Sequence, residues 1–172
     1  MTDTTTIEQS LASLIERGGI YYNVPGTSQK ELLANAVGLL PSIPSLDPGN
    51  LLREILDREA LMSTGTGRGI ALPHPRSPIL EKQHTEPRLP LEPMVAVIFP
   101  VQPIDWNTPD GSKVHTLFLL VSSSAKQHLS ALSKINFLCQ QETFSSLIQA
   151  RSSKETILAS IQEAEKTWLR SK

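Results

Sequence analysis

The sequence predicts an α/β domain in which helices cover a largely buried sheet. Residues 94–99 and 114–121 are almost continuously apolar, as in central strands that are buried on both faces. Segments with apolar residues at helical spacing lie before and after these runs, and strands separated by helices favour a layered arrangement. With 172 residues, 39% of them hydrophobic, the chain has the size and composition of one globular domain, 1–172.

The first elements begin and end at ordinary helix and strand signals. Apolar residues at helical spacing predict a helix over 7–15, which two glycines end, and we expect the polar residues 1–6 before it to be disordered. Residues 20–24 then predict a strand. Ser28 and Glu31 have the spacing of a capping box and predict the start of a second helix, which two prolines break.

The third helix has a clear start and a clear end. Asp47 supplies a capping carboxylate, and Pro48 occupies the first helical position. The helix should end near Met62, because three glycines follow within a few residues. A short apolar segment over 70–72 then leads into a proline–histidine–proline sequence.

A proline-rich stretch over 75–93 separates this part from the two buried strands. It holds five prolines and many charged residues, which predict an exposed loop within one domain rather than a linker between two. Asp110 and Gly111 mark the turn between the strands that follow.

Two further helices are predicted in the last third of the chain. Ser124 with Gln127 has capping-box spacing, and so does Ser152 with Glu155. An apolar stripe at helical spacing follows each pair, so both helices should pack against the sheet.

Composition excludes several classes of protein. Sixteen basic and seventeen acidic side chains give a net charge of −1, which is unlike a protein that neutralises nucleic-acid phosphates. No run approaches the roughly 20 apolar residues that span a bilayer, and the polar start is unlike a secretory signal. The single cysteine, Cys139, excludes an internal disulfide and a multi-cysteine metal site, and we expect a reducing cytoplasm.

The densest chemical signal lies over 57–76. A helix end carrying Arg58 leads into glycines, a short strand, and His74 held between two prolines. Together with Arg68 and Arg76, a rigid imidazole near exposed amides suits an anion such as phosphate, whose transfer needs mainly positioning and electrostatic stabilisation. The alternative is a turn packed on the core with His74 as an ordinary surface residue, and the glycines fit neither the phosphate-loop nor the dinucleotide pattern.

His128 is the second candidate. It falls in the first turn of its predicted helix and shares a face with Ala131 and Ile135, so it should point inward. The positive end of the helix dipole disfavours a protonated imidazole there and favours a nearby anion. A half-buried histidine bonded to backbone is the alternative.

The remaining candidates point to structural roles. We expect His84 to be solvated, His115 to be structural, and Cys139 to be a small core residue. Trp106 and Trp168 are expected to pack in or beside the core. The histidines lack metal-ligand spacing, so we expect no metal site.

These residues resemble a known signature. Leu-Asp-Arg-Glu at 56–59, Ser-Thr-Gly-Thr-Gly at 63–67 and Gly-Ile-Ala-Leu-Pro-His at 69–74 resemble the active-site signature of fructose/mannitol-type enzyme IIA proteins. This group belongs to the bacterial phosphoenolpyruvate-dependent sugar phosphotransferase system (PTS) and includes the nitrogen-regulatory IIA proteins. Gln-His-Leu at 127–129 is similar to its second histidine motif, and the likeness runs over 11–168.

The resemblance implies a fold and a set of roles. The fold would be a three-layer α/β/α sandwich with a mixed central sheet. His74 would accept the phosphoryl group, His128 would be its active-site companion, and Arg58 would stabilise the phosphoryl charge. No metal or organic cofactor would be needed. Neutral imidazole is the nucleophile in such chemistry.

The resemblance also implies partners. The donor would be the phosphocarrier HPr or a nitrogen-type paralogue, and the next acceptor a IIB subunit or a regulated target protein, with neither nucleic acid nor membrane insertion involved. Pro75, where the family usually has a small residue, and the long loop over 77–93 depart from the pattern. Both lie beside the expected carrier-docking face, so they bear on which partner binds.

The resemblance leaves three alternative functions open. The first is a regulatory phosphocarrier, favoured because 172 residues leave no room for a IIB or membrane IIC domain. The second is a free-standing fructose- or mannitol-type IIA that passes phosphate to a separate IIB. The third is a non-phosphorylated interaction or sensor module on the same scaffold. The joint presence of Arg58, His74 and His128 argues against the third.

Overall fold

The fold is a mixed five-stranded sheet between two layers of helices. The computed structural model describes residues 9–42, 46–77 and 92–170. The strands within these ranges are β1 (Ile20–Val24), β2 (Gly65–Gly67), β3 (Ile70–Ala71), β4 (Met94–Pro100) and β5 (Thr116–Val121). The helices are α1 (Leu11–Gly18), α2 (Gln29–Leu39), α3 (Pro48–Leu61), α4 (Ala125–Cys139), α5 (Glu142–Gln149) and α6 (Lys154–Arg170). The predicted three-layer sandwich is confirmed.

The sheet has the strand order β1-β4-β5-β3-β2. Strand β4 pairs with β1 in parallel and with β5 in antiparallel fashion, and β5 pairs with β3 in parallel. The antiparallel hairpin of β2 and β3 completes the other edge. Because β3 and β5 run in parallel, the chain leaves both strands at the same end of the sheet.

Two hydrophobic cores lie on opposite faces of this sheet. Successive side chains of a strand point to opposite faces, so Val95 and Val97 pack with α1, α4, α5 and α6 while Ala96 and Ile98 pack with α2 and α3. Every residue of β4 and β5 is buried, which is why both read as continuous apolar runs. Cys139 packs in the first core at 7% exposure, and burial raises the pKa of its thiol to about 12.

Several predicted starts and ends are confirmed. Strand β1 spans the predicted residues, and α3 ends next to Met62. Ser28, Asp47 and Ser124 each cap a helix, since their side chains accept a hydrogen bond from the backbone N–H three residues later. The predicted turn at 110–111 is also present.

Two predicted helix starts are wrong. Helix α1 begins at Leu11, because the Ser10 hydroxyl caps it by accepting from the Ser13 N–H at 3.1 Å, so residues 9 and 10 are not helical. Helix α6 begins one residue later than expected. The cap is Ser153, which accepts from Thr156, while the backbone N–H of Ser152 is already bonded to the end of α5.

Two elements escaped sequence analysis. Strand β2 is only three residues long, two of them glycine, so it shows no apolar alternation. Helix α5 follows α4 after a short kink with neither glycine nor proline to mark it. The predicted strand over 114–121 begins at Thr116, since Val114 instead forms an isolated bridge with Ile104.

Some predictions fall partly outside the described residues. These are the disordered start at 1–6, the first residues of the helix predicted over 7–15, and most of the loop predicted over 75–93. Within the ranges that the structure does describe, no helix is both long and apolar enough to cross a bilayer.

Candidate functional site

The candidate site lies where the chain leaves β3. The segment after this strand runs beside β5, because the Pro73 carbonyl accepts the Leu120 N–H at 3.0 Å. It then reaches α3, where the Arg76 N–H donates to the Glu54 carbonyl at 3.3 Å. Pro75 is buried, so His74 is held in a segment that is fixed on both sides.

The imidazole of His74 is oriented by one short hydrogen bond. Its Nδ1 lies 2.7 Å from the Leu72 carbonyl oxygen. Because a carbonyl oxygen only accepts, Nδ1 carries the proton and the lone pair of the neutral ring is on Nε2. Nε2 is therefore the nucleophilic atom of this ring.

His128 lies against His74. The two ring centroids are 4.6 Å apart, and the planes meet edge to face at 64°. The backbone N–H of His128 donates to the Ser124 carbonyl, which places the histidine in the first turn of α4. Because α4 starts just after β5, the fold brings the first turn of α4 to the sheet end that carries His74.

Arg58 completes the group from the last turn of α3. Its Nη1 donates to the Met62 carbonyl at 2.9 Å, which fixes the guanidinium. Burial is the main cause that lowers the pKa of both His74 and His128, and the charge of Arg58 adds to this effect. The structure thus brings together the three residues that the sequence analysis singled out.

Burial keeps both imidazoles neutral. Desolvation is the main cause that lowers the pKa of His74 below its ordinary value; the Leu72 carbonyl opposes this shift, and the charge of Arg58 adds to it. The pKa of His128 falls to about 4, first through burial and then through His74 and Arg58. At neutral pH the site therefore presents a neutral nucleophilic ring beside a fixed positive charge.

The glycine cluster has a different role from the one we expected. The glycines at 65, 67 and 69 form the β2–β3 hairpin, in which Gly67 and Gly69 have positive φ angles of 88° and 78°. The amide of Gly69 donates to the Ser112 hydroxyl, and a Cβ at Gly69 would lie 2.3 Å from the His115 ring. The glycines serve a tight turn rather than a cradle of amides for a ligand.

The other candidates take structural contacts. Nδ1 of His115 lies 2.8 Å from the Thr116 hydroxyl, and Arg68 Nη1 donates to the Gln140 carbonyl. The Arg76 side chain is exposed. His84 lies outside the described residues, and in the described part of the chain no group of three or more His, Cys, Asp or Glu could hold a metal ion.

A second concavity of about 520 Å³ lies beside α3. Two carboxylates, Glu59 and Asp105, are among the side chains that line it, and no described lining residue is basic. An anion would be repelled there, so the histidine pair is the better phosphoryl site.

Two features of the site were not predicted from the sequence. One is the buried carboxylate of Glu59, which bonds Thr64 and Gln29. The other is a set of apolar side chains beside the histidines and Arg58 in sequence: Leu61, Met62 and Leu129 are 63%, 71% and 65% exposed. Leu61 and Met62 fall outside the apolar stripe of α3, which was the available signal for them. Leu129, in contrast, belongs to the apolar stripe expected after Ser124, and its exposure shows that this part of the expectation is wrong.

Known proteins share this fold and sequence. The family model described as the EIIA 2 domain of the phosphoenolpyruvate-dependent sugar phosphotransferase system matches residues 13–164. The chain is 30% identical over 170 residues to the nitrogen regulatory protein of Escherichia coli strain K12, covering 97% of this chain and 98% of that protein. It is 31% identical over 128 residues to the nitrogen regulatory protein of Pseudomonas aeruginosa, covering 73% and 77%.

Solved structures of related proteins have the same fold. The nitrogen regulatory protein IIA-Ntr of Neisseria meningitidis superposes with a TM-score of 0.73 at 28% identity, covering 87% of this chain and 97% of that one. Enzyme IIA of the mannitol system of Escherichia coli, solved in complex with phosphorylated enzyme IIB, has a TM-score of 0.64 at 13% identity, covering 84% and 94%, and shares the fold.

The fold, the histidine pair and these likenesses define a phosphoryl-carrying component of the PTS. The chain belongs to the EIIA type 2 family of the phosphoenolpyruvate-dependent sugar phosphotransferase system. The resemblance of the sequence motifs to this family is confirmed.

Proposed function

We propose that this protein is a regulatory phosphohistidine carrier that accepts a phosphoryl group on Nε2 of His74. The observation that carries the proposal is the orientation of His74, whose Nδ1–H is bonded to the Leu72 carbonyl at 2.7 Å. This leaves a neutral Nε2 lone pair beside His128 and Arg58. The whole chain, 1–172, acts as one domain in the cytoplasm.

The proposed donor is the phosphohistidine of an HPr-type carrier. Nε2 of His74 attacks the phosphorus, the P–N bond of the donor breaks, and the electron pair returns to the donor's imidazole. Arg58 offsets the charge on the phosphoryl oxygens, and His128 hydrogen-bonds the transferred group. A phosphoryl group that moves between two rigid sites needs positioning and charge stabilisation rather than a cofactor.

A regulatory role is favoured over sugar transport. The nitrogen regulatory proteins of Escherichia coli and Pseudomonas aeruginosa are each at least 30% identical to this chain, and of the two solved structures described above IIA-Ntr has the higher TM-score. The likeness to mannitol IIA in its complex with IIB keeps transport as the second candidate. Phosphoryl transfer from the loaded protein to a purified fructose- or mannitol-type IIB would favour that candidate.

Intact-protein mass spectrometry tests the proposal. The protein is incubated with phosphoenolpyruvate, enzyme I and each of the two HPr-type carriers. We expect the gain of one acid-labile phosphoryl group, lost in His74→Ala and kept in His115→Ala. His115 is a matched control because it is also half-buried with a lowered pKa but bonds Thr116 instead.

Two outcomes would contradict the proposal. Normal phosphoryl uptake by His74→Ala would show that the acceptor is another residue. No uptake by the wild-type protein with either carrier, in the presence of a working positive control, would favour an interaction module that is not phosphorylated.

A further inference from the structure

A buried carboxylate lies next to the site and is linked to His74 through Thr64 and Leu72. Glu59, the residue after Arg58, is 8% exposed. Its oxygens accept hydrogen bonds from Gln29 Nε2 at 3.2 Å, from the Thr64 N–H at 3.1 Å and from the Thr64 hydroxyl. Burial of a carboxylate is costly, and here three donors offset that cost. Two of these three donors belong to Thr64, so Thr64 is the residue that Glu59 mainly holds in place.

Thr64 in turn fixes the segment that carries His74. The Leu72 N–H donates to the Thr64 carbonyl oxygen at 3.0 Å. On its other side, the Leu72 carbonyl accepts the His74 Nδ1–H at 2.7 Å. Glu59 is therefore linked to the imidazole by three successive anchors: its own bonds to Thr64, the Thr64–Leu72 bond and the Leu72–His74 bond.

This link reaches the hydrogen bond from Nδ1 to the Leu72 carbonyl, which sets the tautomer of His74. If the Leu72 carbonyl shifts, Nδ1 loses its acceptor and the proton is no longer held on that nitrogen. The ring then populates the Nε2–H tautomer, whose Nε2 has no lone pair to attack phosphorus. A small displacement of the ring also takes Nε2 out of line with the donor's phosphoryl group.

We propose that Glu59 is a positioning residue for His74. By anchoring Thr64 it holds the Leu72 carbonyl where that oxygen keeps His74 in the Nδ1–H tautomer with Nε2 as the nucleophile. The inference rests on the proposed role of His74 as phosphoryl acceptor. A second consequence is that the last turn of α3 contributes to the site twice, through the guanidinium of Arg58 and through the carboxylate beside it.

The test compares Glu59→Gln and Thr64→Val with a matched control. Thr64→Val keeps the shape of the side chain and removes only the hydroxyl that donates to Glu59. Thr108→Val is the control, because Thr108 is equally buried, at 8% against 7%, and its hydroxyl donates to the Ser112 carbonyl instead. Thr64→Ser restores the hydroxyl and should restore the wild-type behaviour.

Two readouts are measured on each full-length variant. Imidazole ¹⁵N chemical shifts report the tautomer of His74 without any partner protein. Rapid-quench transfer reactions report the rate of phosphoryl uptake from the HPr-type carrier. We expect one Nδ1–H tautomer in the wild-type protein and in Thr108→Val. In Glu59→Gln and Thr64→Val we expect a mixed tautomer signal and transfer at least ~10-fold slower.

The outcomes separate the inference from the proposed function. If Glu59→Gln and Thr64→Val lower only the melting temperature, as Thr108→Val does, Glu59 is structural and the inference is overturned. If Glu59→Gln does not fold, the comparison of Thr64→Val with Thr64→Ser still tests the positioning role. If the wild-type protein takes up no phosphoryl group but the tautomer still changes in these variants, the positioning role stands and the proposed function fails.

Discussion

The two site histidines are chemically unequal, although they lie 4.6 Å apart. The Leu72 carbonyl accepts from His74 and partly opposes the effect of burial on its pKa. His128 is brought to a pKa of about 4 by burial, by His74 and by Arg58. The lone pair of the His74 ring therefore lies on Nε2, as the proposed acceptor role requires, while His128 stays neutral beside it.

We expect His128→Ala to take up the phosphoryl group slowly and to lose it faster. Loss of one positioned hydrogen-bond donor at a site of developing charge costs roughly 10²- to 10³-fold in rate. Rapid-quench transfer from the HPr-type carrier, followed by hydrolysis of the product, measures both steps. Wild-type rates in this variant would show that His128 plays no part in the transfer.

At the scale of single residues, the sequence predicted the three side chains that the structure brings together, but it did not predict the groups that hold them in place. Arg58, His74 and His128 stand in recognisable motifs, so their side chains are visible without a structure. The Leu72 carbonyl is a backbone group with no side-chain signature, and its position depends on Thr64. Glu59 is acidic and follows Arg58 in a helix, so the sequence alone suggests that its side chain is solvated.

Among the elements, α4 links stability to the site most directly. Its cap is Ser124, whose hydroxyl accepts the Gln127 N–H at 3.2 Å, and His128 follows in the same turn. Fraying of this turn would displace His128 from the His74 ring. Helix α1 has a similar cap at Ser10, in a helix that holds none of the site residues.

Ser124→Ala should therefore lower both stability and transfer rate. Loss of a serine cap costs about 1 kcal/mol of unfolding free energy. Ser10→Ala should cost a similar amount and leave the transfer rate unchanged. Urea unfolding gives the first quantity and transfer kinetics the second. Equal rates in the two variants would contradict the view that the cap of α4 positions His128.

Caps and buried runs made most elements predictable. Ser28, Asp47 and Ser124 cap the helices that their spacing predicts, and β4 and β5 are the apolar runs. Strand β2 was not predictable, because pairing with another strand rather than a local signal defines it. Helix α5 does have buried apolar residues at helical spacing, Phe144 and Ile148, but it has no side-chain cap to mark its separation from α4. The three residues of β2 are a strand only because β3 pairs with them.

On the scale of the whole molecule, the site lies at the ends of β3 and β5, and exposed apolar side chains stand near its residues in sequence. Leu61, Met62 and Leu129 stand next in sequence to site elements and are exposed, as at a surface that docks another protein. Val101, 57% exposed, follows β4, which is antiparallel to β5, and so lies at the opposite end of the sheet.

Leu129→Glu should weaken docking of the HPr-type carrier. A buried charge in place of a leucine disfavours the complex, so we expect KM for the carrier to rise ~10-fold or more while kcat changes little. Val101→Glu serves as the control and should leave both constants unchanged. A drop in kcat alone for Leu129→Glu would instead point to a disturbed His128.

The folded chain should lose stability on mild acidification. His74, His115 and His128 all have lowered pKa values, mainly because they are buried. The unfolded chain binds protons on them below about pH 6.5, whereas the folded chain resists this, so their stabilisation is complete above pH 6.5 and is lost as pH falls towards 4.

Urea unfolding between pH 7.5 and 4 measures this loss of stability. His128 should contribute roughly 1 kcal/mol across the full window down to pH 4, since partial exposure screens much of its shift. His128→Gln should flatten the pH dependence. An unchanged slope in that variant would show that the folded protein holds His128 no more neutral than the unfolded chain does.

Cys139 has a practical consequence for such experiments. It is the single cysteine of the chain, it is packed between helices and sheet, and its thiol has a pKa of about 12. Maleimides and similar reagents attack thiolates, which this residue scarcely forms at neutral pH. A cysteine introduced beside the histidines, for instance Met62→Cys, would therefore take a fluorescent label alone, and the wild-type background can serve unaltered for watching a partner arrive and leave.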